Sequence, residues 1–179
     1  EDILEQVNKK LRTKLSIDQK VSHLALPRII KVVINVGVGQ AKDNPAILEK
    51  IEKSLLSITG QKPSPRLARK AISGFKIRQG EKIGLQVTLR GSRMKDFVVK
   101  LANIVLPRMR DFRGLKMKGF DQKGNYNLGI AEQLVFPEIS HEQTEELFGL
   151  SVTLVTSADN PQEGRVLLEA WGLPFAKES

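Results

Sequence analysis

Residues 83–90 read Ile-Gly-Leu-Gln-Val-Thr-Leu-Arg, which is the most regular alternation of apolar and polar residues in the chain. Every second residue from Ile83 to Leu89 is a large aliphatic one, and the residues between them are small or polar. A period of two predicts a β-strand with one buried face and one polar face. We therefore expect the neighbouring stretches to supply the rest of a two-faced sheet.

Three other stretches alternate in the same way. They are Ile29 to Val38, Asn125 to Phe136 and Leu150 to Thr156, and in the first of them the apolar parity begins at Ile30. Glu132 falls on the apolar parity of its stretch, so we expect a bulge or the end of a strand near it.

Apolar residues at helical spacing predict four helices. The first runs from Asp2 to Leu15. Start and stop signals bound the other three: Asn44 with Pro45 before Gly60, Ser92 before Pro107, and Asn160 with Pro161 before Gly172. Glu163 is placed to complete a capping box at the last of them.

These elements predict an α+β fold of two layers, with helices packed on one face of a largely antiparallel sheet and the other face exposed. A short fifth strand is expected around Arg66–Ala71. We expect residues 1–179 to form a single domain, with an N-terminal helix and connection over residues 1–26 and a basic stretch over residues 61–118.

The basic stretch, residues 61–118, concentrates the positive charge of the chain. It holds sixteen Lys and Arg against three acids, a balance of +13, whereas the whole chain has a formal net charge of +9. The remaining residues therefore sum to −4. One very basic region on an otherwise near-neutral chain is typical of a protein that docks on a polyanion.

The sequence offers little for catalysis or for a bound metal. It has no cysteine, and its two histidines, His23 and His141, are far apart. Gly37-Val-Gly39 is similar to the start of a dinucleotide-binding loop, but Lys42 stands where the third glycine belongs. No apolar run approaches the ~18 residues of a membrane span. We expect a cytoplasmic protein with no catalytic residues, metal or cofactor, and no contact with a membrane.

The polar face of the predicted sheet carries amides, hydroxyls and cations, with no carboxylate unless Glu132 turns that way. Its members are Lys31, Asn35, Gln86, Thr88, Arg90, Asn125, Asn127, Gln133, Ser151 and Thr153. Such groups can bond to 2′-hydroxyls, base edges and phosphates without repelling an RNA backbone. Since no Phe or Tyr lies among them, the pattern favours recognition of a folded RNA by its shape. A solvated face that happens to lack acids is the alternative, and both interpretations stay open.

Six motifs carry a resemblance to a known family. They are Pro27-Arg-Ile-Ile-Lys-Val-Val-Ile-Asn-Val-Gly-Val-Gly39, Ile58-Thr-Gly-Gln-Lys-Pro63, Ile83-Gly-Leu-Gln-Val-Thr-Leu-Arg-Gly91, Leu106-Pro-Arg-Met-Arg-Asp-Phe-Arg-Gly114, Gly124-Asn-Tyr-Asn-Leu-Gly129 and Phe136-Pro-Glu138. In this order they resemble the universal 5S rRNA-binding ribosomal protein family, large-subunit protein five, in its bacterial form. The similarity runs from about Pro27 to Phe175, and the first twenty-odd residues match weakly.

The resemblance implies a ribosome-associated protein that helps attach 5S rRNA to the central protuberance of the large subunit, among other proteins of that region. Together with the sheet-face argument, it gives these expected 5S rRNA contacts: Lys31, Asn35, Gln61, Lys62, Gln86, Thr88 and Arg90. A loop over Lys70 to Lys82 is expected to reach P-site tRNA and 23S rRNA through Lys70, Ser73, Phe75, Lys76 and Arg78. Two further segments are expected to form an intersubunit bridge toward small-subunit protein thirteen, through Arg108, Arg110, Arg113, Glu142, Glu145 and Glu146.

The sequence thus predicts a structural RNA-binding protein of the ribosome rather than an enzyme. One rival interpretation is a free-standing RNA regulator or chaperone that uses the same basic surface. Another is a nucleotide-handling enzyme that uses Gly37–Lys42. Sedimentation with ribosomes tests the first rival, and mononucleotide binding tests the second.

Overall fold

The computed structural model of the protein describes residues 3–15, 22–39, 44–139 and 147–176. Its helices are α1 (Ile3–Leu15), α2 (Pro45–Thr59), α3 (Gly91–Lys100), α4 (Leu106–Arg108) and α5 (Pro161–Ala170), and its strands are β1 (Ile29–Gly37), β2 (Ser64–Leu67), β3 (Lys82–Leu89), β4 (Tyr126–Ile130) and β5 (Leu150–Thr156). The strands form one sheet in the order β2-β3-β1-β5-β4. The prediction of an α+β fold with a largely antiparallel sheet is confirmed.

The chain divides into two compact units. The first unit comprises Glu1–Val32, Arg90–Leu128 and Thr153–Ser179, and the second comprises Val33–Leu89 and Gly129–Val152. That the whole chain acts as a single domain stays a prediction.

In the first unit, α1 packs against α5. Val7 and Leu11 of α1 are buried, as are Leu167 and Leu168 of α5, so both helices use the apolar stripes that their spacing predicts. Lys14 at the end of α1 pairs with Glu169 of α5, with 2.6 Å between Nζ and Oε2.

The predicted cap of α5 is present in a modified form. Asn160 accepts a hydrogen bond from the Glu163 backbone N–H at 2.9 Å, as an N-cap side chain should. The Glu163 carboxylate accepts from the N–H of Asp159, at 3.2 Å, rather than from that of Asn160.

Helix α3 starts and ends elsewhere than predicted. It begins at Gly91, whose φ is +60°, and Arg90 holds the N-cap position without a side-chain hydrogen bond, so Ser92 is not the cap. Pro107 does not stop the helix either. A π-helical turn, Leu101–Val105, leads into α4, which has Pro107 in its first turn, and the chain becomes extended only at Met109. A proline inside an α-helix removes a hydrogen bond between residues i and i−4. Here a π turn, with bonds between residues i and i−5, replaces the α-helical pattern just before Pro107, so the chain stays helical through the proline.

In the second unit, α2 has the start and stop that the sequence predicts. The Asn44 side chain accepts from the N–H groups of Ala46 at 3.1 Å and Ile47 at 3.4 Å. Gly60 ends the helix with φ of +66° and donates to the Leu56 carbonyl at 2.7 Å.

Strand β3 spans the stretch with the regular alternation, and its aliphatic parity faces inward. Leu85, Val87 and Leu89 are at most 5% exposed. Its antiparallel neighbour β2 is shorter and earlier than predicted, because the register shifts between Arg66 and Leu67 and the ladder becomes irregular. The prediction of a strand reaching Ala71 is therefore wrong at its far end.

The entry to β1 differs from the predicted parity. Ile29 is 5% exposed and Ile30 is 42% exposed, so Ile30 does not face the core, and regular alternation begins only at Val32. The residue before the strand, Arg28, is held by two hydrogen bonds. The Arg28 carbonyl accepts from the Ser157 N–H at 2.9 Å, and the Arg28 N–H donates to Ser157 Oγ at 3.0 Å. These bonds fix how the chain enters the strand.

Strand β4 ends at Ile130, well before Phe136, and a 3₁₀ turn, Gln133–Val135, follows it. The expectation of a strand end near Glu132 is confirmed. Gln133, however, is fully buried and does not belong to the polar face of the sheet. Its side chain turns inward because its Oε1 accepts the Phe148 N–H at 2.8 Å.

Candidate nucleic-acid interface

Side chains from three strands surround Gly84 on β3 and form the centre of the polar face of the second unit: Asn35, Arg66 and Gln86. A Cβ built on Gly84 would lie 3.7 Å from the Arg66 Cβ and 3.8 Å from the Asn35 Oδ1, so these two side chains flank it. Arg66 is the antiparallel partner of Gly84, and its Nε donates to Oε1 of Gln86 on the same face. Strands β1, β2 and β3 therefore present an amide, a guanidinium and a second amide together.

Asn35 is the exposed member of this face. Its carbonyl accepts from Ser151 Oγ at 3.4 Å, which adds a hydroxyl from β5 to the face. Among the described residues, nothing hydrogen-bonds to the Asn35 side-chain amide, so both its donor and its acceptor are available to a ligand. Gln86 and Thr88 are half-buried, and they alternate with the buried aliphatic residues of β3, so they lie on the same side of the strand as Gly84.

Gln61 and Lys62 follow the end of α2. Gln61 Nε2 donates to the Thr88 carbonyl at 3.3 Å, which ties this side chain to β3 and leaves its oxygen as an acceptor. The Lys62 side chain is 81% exposed, with its Nζ 3.7 Å from Oε1 of Glu52. A surface pair of this kind contributes about 0–1 kcal/mol, so Lys62 can exchange it for a phosphate at little cost.

In the first unit, Lys31 is half-buried and Arg90 is exposed at the start of α3. Asn127 is exposed, and its Oδ1 accepts from Thr153 Oγ1 at 2.7 Å, so these two are neighbours as the shared parity predicts.

Asn125 lies in a turn and not on the open polar face. Its Oδ1 accepts the Thr156 N–H at 2.9 Å, and its Nδ2 donates to Asp121 Oδ2 at 2.7 Å. These bonds occupy both ends of the amide. The hydrogen bond from Asn125 is also the main cause that lowers the pKa of Asp121.

The loop predicted to reach tRNA, residues 70–82, is closed by its own backbone. Ile72 and Ile77 exchange two hydrogen bonds, of 2.9 and 3.1 Å, and a 3₁₀ turn, Ser73–Phe75, lies between them. Phe75 at this tip is 74% exposed. The other predicted contact residues of the loop are exposed as well: Lys70, Ser73, Lys76 and Arg78.

The residues predicted for the intersubunit bridge are only partly described. Arg108, Arg110 and Arg113 are exposed in the segment that follows α4. Glu142, Glu145 and Glu146 lie outside the described residues, as does His141.

Two members of the polar face of the second unit were not among the expected RNA contacts. Arg66 joins it through its pairing with β3, and Ser151 joins it through its bond to the Asn35 carbonyl. The strand parity of Ser151 indicates the polar face. No local signal places Arg66 there, because the β2–β3 register depends on pairing between separate stretches.

The described residues contain no group of three or more His, Cys, Asp or Glu that could hold a metal ion. Within the same residues, none of the helices is both long and apolar enough to cross a membrane.

Comparison with known proteins identifies the family. A ribosomal protein L5 model matches residues 23–78, and a model of the C-terminus of the same ribosomal protein family matches residues 82–175. Large ribosomal subunit protein uL5 of Thermus thermophilus is 53% identical over 152 residues, which is 85% of this chain and 84% of that protein. The uL5 protein of Anaeromyxobacter sp. strain K is 47% identical over 172 residues, 96% of each chain, and uL5c of the alga Gracilaria tenuistipitata var. liui is 47% identical over 173 residues, 97% of this chain and 93% of that protein. Because two family models in sequence cover most of the chain, it belongs to the ribosomal protein L5 family and is a structural, non-enzymatic protein of the large ribosomal subunit.

Proposed function

We propose that this protein binds 5S rRNA through the polar faces of its sheet and helps attach that RNA to the central protuberance of the large subunit. The observation that carries the proposal is the group around Gly84, where Asn35, Arg66 and Gln86 meet without a carboxylate. An exposed amide with both its donor and its acceptor available suits base edges and 2′-hydroxyls, and the guanidinium suits a phosphate.

The remaining expected contacts fall in both units. In the second unit, Gln61, Lys62 and Thr88 would add to the surface around Gly84. In the first unit, Lys31 and Arg90 would make separate contacts with the RNA. Lysine and arginine contacts to phosphate supply much of the affinity, whereas amides and hydroxyls orient the RNA.

The loop over residues 70–82 is the segment that we assign to P-site tRNA and 23S rRNA. An exposed phenylalanine gains nothing from water, but it can stack on an unpaired base. Lys70, Lys76 and Arg78 in the same loop suit a nucleic-acid backbone.

The acidic segment around Glu142–Glu146 is the part that we assign to small-subunit protein thirteen, since acids complement a basic protein. The sequence predicts Arg108, Arg110 and Arg113 for the same bridge, but their positive charge does not suit a basic partner, so this proposal leaves them to another contact. Other central-protuberance proteins would adjoin the acidic segment.

Substitution of Asn35 tests the role of the polar face. Asn35→Ala should lower the affinity for 5S rRNA about tenfold, because losing one or two hydrogen bonds costs on the order of 1–2 kcal/mol. Thr88→Val should act in the same direction while keeping the side-chain shape. A filter-binding titration measures both.

Asn103→Ala is the matched control, because Asn103 is exposed on the π-helical turn and not on a strand. It should bind 5S rRNA normally, and all three variants should unfold within about 0.5 kcal/mol of the unsubstituted chain. If Asn35→Ala and Thr88→Val both bind 5S rRNA normally, the proposal that the sheet binds this RNA is wrong.

A further inference from the structure

The basic loop, defined as residues 107–119, is hydrogen-bonded through its backbone to the C-terminal segment, residues 174–176. The Leu115 N–H donates to the Pro174 carbonyl at 2.8 Å, and the Ala176 N–H donates to the Leu115 carbonyl at 3.0 Å. The two bonds make a parallel bridge between Leu115 and Phe175, and Leu115 is 3% exposed. The middle of the loop is therefore fixed to a partner 60 residues away in sequence.

An aromatic cluster holds that partner in place. The Phe175 ring stacks on Phe120 with 5.7 Å between centroids and 16° between planes, and it meets Tyr126 edge-on at 5.8 Å. The Tyr126 hydroxyl donates to the Lys116 carbonyl at 3.1 Å, which adds a second attachment to the loop backbone. Aromatic pairs of this kind stabilise the cluster beyond the apolar area that they bury.

Two glycines allow this close packing. A Cβ at Gly114, where φ is +103°, would lie 2.4 Å from the Ala176 backbone nitrogen. A Cβ at Gly119 would lie 2.6 Å from the Tyr126 ring. Both contacts are closer than a side chain allows, so the loop needs glycine at each point.

The loop that is held in this way carries almost only positive charge. Its five cations are all exposed: Arg108, Arg110, Arg113, Lys116 and Lys118. Asp111 is the single acid of the loop, and none of the five cations forms an ion pair with a described residue. A basic protein would be repelled by such a surface, whereas closely spaced phosphates would be attracted.

We propose that the C-terminal segment positions the basic loop as a preformed binding surface for the phosphates of a folded RNA. Fixing the loop before binding lowers the entropy that the complex would otherwise lose. Phe175 is the positioning residue, and Arg110 and Arg113 are the phosphate ligands. The inference rests on the proposed function in one respect, that the partner is RNA, and it names a surface other than the strands.

Neutralising the loop tests the phosphate ligands. The full chain is titrated with an RNA hairpin of about 16 base pairs, the length that a shape-reading domain spans, without any 5S rRNA sequence. Arg110→Ser with Arg113→Ser should weaken binding at least tenfold. It should also reduce the slope of log K against log salt by about 1.4–1.8, because each lost phosphate contact removes roughly 0.7–0.9.

Lys9→Ser with Lys10→Ser is the matched control, since it removes the same charge from exposed positions of α1. It should leave affinity and slope nearly unchanged. If the loop variant binds like the unsubstituted chain, or if that chain does not bind the hairpin at low salt, RNA is not the ligand and the inference fails in favour of a protein partner.

A double-mutant cycle tests the positioning role. Phe175→Ala keeps every cation and should weaken hairpin binding about tenfold with an unchanged salt slope, and Phe175→Tyr should restore binding. In the Arg110→Ser/Arg113→Ser background, Phe175→Ala should cost nothing further, because it acts through those cations. An equal loss in both backgrounds would refute positioning.

If Phe175→Ala does not fold, Gly114→Ala tests the same attachment with every aromatic ring kept. Failure of this inference remains distinct from failure of the proposed function. Asn35→Ala reports on 5S rRNA binding, and the loop variants report on a hairpin that lacks its sequence.

Discussion

Gln133 is a polar residue whose side chain is shielded from water. It is fully buried, its Oε1 accepts the Phe148 N–H at 2.8 Å, and its own N–H donates to the Phe148 carbonyl at 3.2 Å. A buried amide is tolerated only when its groups are hydrogen-bonded. The bonds to Phe148 satisfy the side-chain oxygen and the backbone N–H of Gln133, and among the described residues no buried side-chain nitrogen or oxygen lacks a hydrogen-bond partner.

Gln133→Leu should lower the free energy of unfolding by about 1–3 kcal/mol, since the part-buried Phe148 N–H loses the acceptor that the buried Gln133 side chain provides. Urea denaturation followed by circular dichroism measures the change. Gln122→Leu is the control, because Gln122 is exposed, and it should stay within about 0.5 kcal/mol. Equal stability of the two variants would show that the Gln133 bond contributes nothing.

The alternation along residues 125–136 predicts Gln133 on the polar face, and this prediction is wrong for a local reason. Side chains alternate between the two faces of a sheet only within a strand, and β4 ends at Ile130, before Gln133. By contrast, the Leu85 and Val87 parity inside β3 was predicted correctly, because no interruption falls within that strand.

The turn before β4 is organised by one carboxylate. Asp121 Oδ1 accepts the N–H groups of Lys123 at 2.9 Å and Asn125 at 2.8 Å, and Oδ2 accepts from Asn125 Nδ2. Asn125 in turn accepts from the Thr156 N–H, which joins the turn to the end of β5. The turn therefore sets where β4 begins.

The stability contributed by this turn should depend on pH. Hydrogen bonding to Asn125 lowers the pKa of Asp121, so the folded chain binds a proton here less readily than the unfolded chain. Stability from Asp121 is therefore fully present above its unfolded pKa of about 3.9, and it is lost as pH falls through the lower folded value. Asp121→Asn should destabilise the chain at neutral pH, by an amount that shrinks below about pH 4.

Thermal melts between acid and neutral pH measure that difference. Asp96→Asn is the control, because among the described residues the Asp96 carboxylate makes no hydrogen bond. Asp96→Asn should leave the free energy of unfolding within about 0.5 kcal/mol of that of the unsubstituted chain. A stability difference for Asp121→Asn that stays constant down to the most acid conditions would contradict the role of the charged form.

Element boundaries show where local patterns stop being sufficient. The cap of α2 was predicted correctly, since Asn44, Pro45 and Gly60 act through bonds to their near neighbours. The end of α3 was predicted wrongly, because a π-helical turn follows α3 and Pro107 lies in the first turn of α4 instead of stopping a helix. The position of Arg66 beside Gln86 depends on the pairing of β2 with β3, which no local pattern contains.

The distribution of charge and of exposed apolar side chains along the chain indicates separate contacts. The basic stretch carries +13 against −4 for the remaining residues. Within that stretch, Asn35's neighbours Arg66 and Gln86 belong to strands, whereas Phe75 lies at the tip of a hydrogen-bonded loop. If the strands bind 5S rRNA and the loop binds tRNA, the two activities should separate by substitution.

Phe75→Ser should separate them. The ring is 74% exposed, so its removal should leave the free energy of unfolding within about 0.5 kcal/mol and the 5S rRNA affinity within about twofold. Base stacking on an aromatic ring is worth about 1–3 kcal/mol, so ribosomes that carry the variant should hold P-site tRNA roughly 5- to 100-fold more weakly if Phe75 stacks there.

Leu24→Ser removes an apolar side chain that is 67% exposed outside the loop, and it should change neither affinity. Equal damage by Phe75→Ser to 5S rRNA and tRNA binding would mean that strands and loop serve a single RNA, and unchanged tRNA binding would exclude the ring from that contact.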